Sequence, residues 1–502
     1  MTSRVDTHLD RGPLDPLHHT AATTRRTFLA TNASGIGTLA LASLFGDEGL
    51  LAAEHSDPLA PQPPHFAPKA KRCIFIFMAG APSQLDLFDP KPKLQELNGK
   101  PLPESMTKDV RFAFILKDSA TILGTKRTFQ RHGQCGMELS DLLPHLGTCA
   151  DDIALVRSMH TDVFNHHPGQ LMMNCGVPRF GLPSVGSWLN YGLGSVATNL
   201  PGYVVLTAGR GTSGGASNWS SGFLPTTYAG VLFRNQGEPV LNLSNPAGVT
   251  TAVQRRSLET LRDLNRRQYD TVSDPEIASR IAAYELAFRM QASAPELIDL
   301  SRESRKTIEE YGIDRTTPKK GGRGGGAGTY QSFATNCLLA RRLVERGVRF
   351  VNIYHASWDH HSNLNREIEY NARMADQPIA ALIKDLKRRG LLDDTLVIWG
   401  SEFGRTPLGE NRPGRDFNTG RDHHPFGFSI WLAGGGIRGG QVLGKTDDIG
   451  WHAVENRVHV NDFHATLLHL FGLDHERLTY RFQGRDFRLT DVGGKVVKSL
   501  IY

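Results

Sequence analysis

Cysteine is scarce in this chain: five in 502 residues, at positions 73, 135, 149, 175 and 337, with no Cys-x-x-Cys among them. That excludes a disulfide-built scaffold and the common cysteine zinc motifs, and the spacing dictates no pairing. Long apolar runs are missing too. The stretch Ala33–Phe45 is short and rich in Gly, Ala and Ser, whereas a bilayer span needs about 20 apolar residues, so no transmembrane anchor is expected. No dense Lys/Arg tract is interleaved with aromatics, so the net charge of +6 does not point to nucleic acid. The basic residues sit instead in stretches such as RRSLETLRDLNRRQ, where acidic residues alternate with them as on a solvated helix face. No internal repeat occurs. What is present is a soluble globular composition, 39% hydrophobic and 22% charged, on a chain long enough to bury a large core.

The N-terminus carries an export address. Arg25 and Arg26, followed by Phe28, Leu29 and a weakly apolar stretch, form a twin-arginine signal. Residues 1–53 are read as the signal peptide, with cleavage after Ala53, and residues 54–70 as a Pro-rich linker. The expected location is the periplasm or extracellular space, with the twin-arginine translocation machinery as a partner. That route carries folded proteins, which suits a metal loaded before export.

From Lys71 short apolar runs alternate with longer amphipathic ones, the pattern of βαβ units. Strands are expected at 73–78, 153–158, 203–207, 349–355, 395–400 and 428–434, and helices near 140–150, 274–291, 331–347, 366–390 and 462–472. Apolar runs without strict alternation imply strands covered on both faces, hence an α/β fold with a mostly parallel central sheet flanked by helices. Residues 71–490 are read as one domain, 250–315 as a helical insertion, 318–327 as a flexible Gly-rich loop, and 491–502 as a tail.

Histidine is the informative residue. Twenty histidines include four adjacent pairs, at 18–19, 166–167, 360–361 and 423–424. Outside the signal, each pair lies in a loop-like stretch beside an expected strand, where open α/β sheets bind ligands. Asp359, His360 and His361 follow one strand; Glu402 and Arg405 follow another; His423 and His424 precede a third; Asn165, His166 and His167 open a helix with Pro168 in its first turn. Any one of these histidines could be a buried ring satisfied by a carbonyl. Together, acids and imidazoles at several strand ends point to a divalent cation.

The stretches KRCIFIFMAGAPSQLDLFDPKP, MHTDVFNHHPGQLMMNCG, SWDHHSN, SEFGRTP and HHPFGFSIWLAGGGIRGG resemble the exported family known as domain of unknown function 1501, within the alkaline phosphatase–sulfatase superfamily. DFHATLLHLFGL is similar to the helix that closes sulfatase catalytic domains, with His464 and Ala465 departing from its pattern. The resemblance implies an alkaline phosphatase-like sandwich and a divalent metal (zinc, manganese or calcium) held by Asp359, His361 and His424. Glu402, Asp86 and His166 should line the same cavity. Neighbours on extended backbone point in opposite directions, so only one of each pair should ligate; the resemblance alone chooses His361 over His360 and His424 over His423. Asn165, His167, His360, His423 and His464 are expected around the metal or substrate.

The chain departs from the superfamily pattern in three places. Phe403 stands where a His is expected after Glu402, and Ala79 and Gly80 end the first strand where a metal-binding Asp is expected. His166 occupies the nucleophile's position, with no Ser, Thr or Cys-x-Pro-x-Arg there. The implied activity is hydrolysis of a phosphate or sulfate ester, small molecule or polysaccharide. Either metal-activated water or His166 would attack, with Arg405 clamping the anionic oxygens. A non-catalytic metal-containing envelope or binding protein is the alternative; a phosphomutase fits poorly with export.

Overall fold

The computed structural model describes residues 57–502, apart from 109, 117–119, 210, 319–325 and 411–418. The twin-arginine signal and most of the Gly-rich loop lie outside the described residues. Its centre is a nine-stranded sheet. In chain order the strands are β1 (Arg72–Ala79), β2 (Ile153–His160), β3 (Tyr203–Ala208), β4 (Val231–Phe233), β5 (Phe350–Ala356) and β6 (Thr395–Gly400). A separate antiparallel pair follows, β7 (Gly404–Gly409) and β8 (Arg421–His424), and then β9 (Phe428–Ala433), β10 (Gln441–Leu443) and β11 (Val458–His459) return to the sheet. The spatial order is β10-β2-β9-β6-β1-β5-β3-β4, with β11 also beside β2. Every pairing is parallel except those of β9, which runs against both β2 and β6.

The apolar runs form buried strands because both faces are covered. Along β1, Ile74, Ile76 and Met78 enter one core, while Cys73, Phe75 and Phe77 enter the other. Helices α5 (Thr329–Glu345) and α6 (Leu364–Arg388) seal the first face; α1 (His166–Cys175), α2 (Val185–Leu193) and α7 (Val460–Leu470) seal the second. Two further helices, α3 (Thr251–Val272) and α4 (Pro275–Ile298), supply no strand to the sheet. The helix expected near 140–150 is only one turn, Pro144–Gly147. A strand occupies Met137–Ser140 immediately before it, and Pro144 has no N–H with which to extend the turn backward. All five cysteines are free. Among the described residues, no helix is long and apolar enough to cross a membrane.

Candidate metal centre

The carboxyl ends of β1, β5 and β6 deliver Gly80, Asp359 and Glu402 to one place, where open parallel sheets bind ligands. The β7–β8 pair closes over it. Arg405 and His423 are direct cross-strand partners and share a face. Helix α1 starts beside them: Asn165 is its extended N-cap and His166 its first residue.

Three imidazoles converge on a single oxygen. Asp359 Oδ1 lies 2.7 Å from His361 Nε2, 3.1 Å from His166 Nε2 and 3.3 Å from His423 Nε2. Each ring is held from behind through Nδ1. His166 donates to Glu402 Oε1 at 2.7 Å, His423 to the Phe164 carbonyl at 2.8 Å, and His361 to Glu410. With the Nδ1 protons placed by these acceptors, each ring in its neutral form aims its Nε2 lone pair at one carboxylate. His166 Nε2 is buried 3.1 Å from Asp359, an ion-pair distance but out of line for a hydrogen bond. Such a set repels itself until a proton or a cation shares the space. Imidazoles anchored by carboxylate or carbonyl and converging through the opposite nitrogen are the donor set of a divalent transition metal. His166, Asp359, His361 and His423 offer ligand atoms that all lie within 4.8 Å of one another, and His361, Glu410 and Asp422 do the same.

The charges agree. Asp359, Glu402, Glu410 and Asp422 carry four formal negative charges against the positive charges of Arg405 and, without a metal, the His166 ring. Burial alone would raise the Asp359 carboxyl, but Arg405, 2.6 Å away, and the three imidazoles hold it far below the usual range. Burial alone would lower His166; the carboxylates of Asp359 and Glu402 overcome it and push the ring up to about 9. His423 goes the other way, to about 4, through burial and the nearby Arg405 guanidinium, against the pull of Asp359.

Glu402 is the keystone of the supporting layer. It is fully buried, and its Oε1 accepts from Gly80 N at 2.9 Å and Gln170 Nε2 at 3.2 Å as well as from His166. Ser401 Oγ lies 2.6 Å from Oε2. Gln170, one turn beyond His166 on α1, accepts in turn from Ser213 Oγ at 3.0 Å and Gly214 N at 3.2 Å. The absence of an acid at the end of β1 also has a steric reason. Gly80 has φ +112, and a Cβ there would lie 2.6 Å from the backbone nitrogen of Asp359. Ala81 (φ 57) and Ser357 (φ 99) sit in the left-handed region nearby, the backbone strain that gathers at functional sites.

Several expected residues lie elsewhere. His424 points off the opposite side of β8, where Nε2 hydrogen-bonds the Trp451 carbonyl and burial lowers the ring to about 4. His423, expected only near the metal, is the ring of this pair that faces Asp359. Asp86 is not in the cluster. It is buried against Arg421 Nε at 2.8 Å, with Ser83 and Thr125 hydroxyls completing its shell, and is an internal counter-ion. Arg405 is 1% exposed, and its guanidinium donates to the carbonyls of Gly80, Ala81 and Arg421 as well as to Asp359. It orients Asp359 and has no fork left to clamp a substrate. Asn165 is exposed and makes no side-chain cap. His167 faces Phe180, His360 is buried with Nε2 3.2 Å from the Asn371 amide, and His464 bonds the Met173 carbonyl at 2.9 Å. Phe403 stacks on His166 at 5.1 Å and forms a wall of the site. Glu410, Asp422 and Gln170 escaped the sequence reading. Asp422 stood beside the 423–424 pair as a visible signal; Glu410 and Gln170 carried none.

The sequence model of the family described as protein of unknown function (DUF1501) matches residues 70–501. The chain belongs to this family. No curated protein matches it. Among solved structures, this DUF1501 chain is similar to the PsFucS1 sulfatase from Pseudoalteromonas sp., with 13% identity, 87% of this chain and 70% of that one covered, and a TM-score of 0.35. The lipoteichoic acid synthase LtaP from Listeria monocytogenes matches at 10% identity over 87% and 79% of the two chains, TM-score 0.34. The alkaline phosphatase from the Antarctic bacterium TAB5 matches at 12% identity over 80% and 98%, TM-score 0.31.

Proposed function

We propose that this DUF1501 chain is an exported hydrolase of phosphate or sulfate esters that works with a divalent cation held by His166, Asp359, His361 and His423. The observation that carries the reading is the convergence of three back-anchored imidazoles on Asp359 Oδ1. A divalent cation supplies Lewis-acid polarisation of the ester and activation of water, so no side-chain nucleophile is required. The chain's own residues set the geometry. Arg405 fixes Asp359; Glu402, held by Gly80 and Gln170, fixes the tautomer of His166; and the N-terminus of α1 brings positive partial charge toward an anionic ester. His166 Nε2 faces Asp359, which favours a ligand role for this ring over covalent attack.

The test is turnover of p-nitrophenyl phosphate, bis-p-nitrophenyl phosphate and p-nitrophenyl sulfate by purified protein with Zn²⁺, Mn²⁺ or Ca²⁺. Activity that requires metal and disappears with Asp359→Ala supports the reading; metal-loaded protein inert to all three esters counts against it. The second reading, a non-catalytic metal-containing binding protein, is favoured by one feature: the guanidinium of Arg405 is spent on the protein itself. Export is proposed on Arg25 and Arg26. Changing both to Lys is expected to leave the protein in the cytoplasm, and unchanged export would remove the claim.

A further inference from the structure

One aromatic side chain beside the centre is used by none of the chemistry above. Phe114 is 49% exposed, yet its ring stands edge-on to two cluster imidazoles, 4.7 Å from His361 and 6.1 Å from His423. Those two histidines are themselves buried, so the phenyl ring lies between the cluster and solvent. Its position is indexed to the centre by the main chain. Asp422, the residue before His423, is fully buried and accepts from Phe114 N at 2.9 Å and Ile115 N at 3.1 Å. The same segment is pinned a second time. The Arg111 guanidinium sits 5.6 Å over the ring of Phe164, whose carbonyl holds His423. Across the start of α1, Phe180 is 62% exposed and edge-on to His167 at 4.8 Å. A half-exposed phenyl ring this close to the cluster offers an approaching ligand an apolar ring to pack against.

Resting on the hydrolase reading, we infer that Phe114 is a specificity-determining residue: an apolar shelf that selects esters whose leaving group presents an apolar ring face next to the phosphoryl or sulfuryl group. Ring-on-ring packing in this setting is worth roughly up to a tenfold preference.

The test is calorimetric titration of the full-length, zinc-loaded protein with phenylphosphonate and methylphosphonate, for the wild type and Phe114→Ala. The wild type is expected to bind phenylphosphonate roughly tenfold more tightly than methylphosphonate. Phe114→Ala is expected to abolish that preference while leaving methylphosphonate affinity and zinc content unchanged. Equal affinities in the wild type overturn the inference while the hydrolase reading stands. So does an equal loss for both ligands in Phe114→Ala, which would make the ring a mere cover for the histidines. If neither phosphonate binds, the hydrolase reading itself fails and the shelf falls with it. Glucose 1-phosphate, titrated in parallel, identifies the ring. Dependence on Phe114 equal to that of phenylphosphonate supports a sugar face, and affinity at the level of methylphosphonate supports an aromatic leaving group.

Discussion

Replacing His423 by Ala is expected to lower divalent-metal affinity by at least about a hundredfold, while His424→Ala leaves it nearly unchanged. Loss of a supporting partner alone costs about 10–100-fold in metal affinity, and loss of one of four ligands costs no less. The two substitutions look equivalent in the sequence and are opposite in the structure. On β8, His423 pairs with Arg405 and turns toward Asp359, whereas His424 pairs with Gly404 and turns toward the Trp451 carbonyl. His424→Ala should instead appear in stability. It empties a fully buried ring site, at a cost of roughly 3 kcal/mol. Zinc content by elemental analysis and a thermal melt of each variant separate the two outcomes. Retention of metal by His423→Ala, or its loss from His424→Ala, would show the centre to be differently built.

Metal affinity is expected to rise about tenfold per pH unit between pH 6.5 and 9, then level off, with one proton released per ion bound. The cause is His166. Burial pushes this ring down, the carboxylates of Asp359 and Glu402 push it up more strongly, and the result is about 9 in the metal-free protein. A cation needs the Nε2 lone pair, so below that value it must displace a proton. His423, lowered to about 4, is already neutral throughout this window and adds no slope. The same shift governs stability without metal. A raised folded-state value stabilises the fold fully below about pH 6.5, and that contribution, at most about 3 kcal/mol, is lost as pH rises through 9. The metal-free protein should therefore melt lower as pH increases across this range, and added metal should reverse the trend. Competition with a chromophoric chelator gives the affinity; the buffer dependence of the binding enthalpy gives the proton count. Affinity that does not change with pH would remove His166 from the ligand set.

The six long strands were legible because each is an unbroken apolar run bounded by turn residues, and burial on both faces makes such runs conspicuous. The edge strands β4, β10 and β11 were not: two or three residues carry no periodicity. The β7–β8 pair was hidden by its composition, since Gly, Pro, Arg and His in GRTPLG and RDHH read as loop. That concealment explains the exchange of His423 for His424. The face of a strand is fixed by register, and register here comes from pairing with a segment whose strand character the sequence did not announce. Asp86 and Arg405 were placed differently from their expectation for another reason. Both are charged residues near an expected site, but each is consumed by buried partners, Arg421 for one and three carbonyls with Asp359 for the other. Satisfaction of that kind is decided by backbone far away in the chain.

The four converging side chains come from a helix start near residue 166, a strand end near 359–361 and a strand near 423. No fragment shorter than residues 166–423 holds the donor set, and a nascent chain that has not passed β8 lacks His423, Asp422 and the carbonyl of Arg421 that seats Arg405. An ion bound there would stabilise only chains in which these segments have come together, by an amount set by its concentration relative to its dissociation constant. If the protein is exported folded, as proposed, the ion would act as a latch that engages once these segments have met.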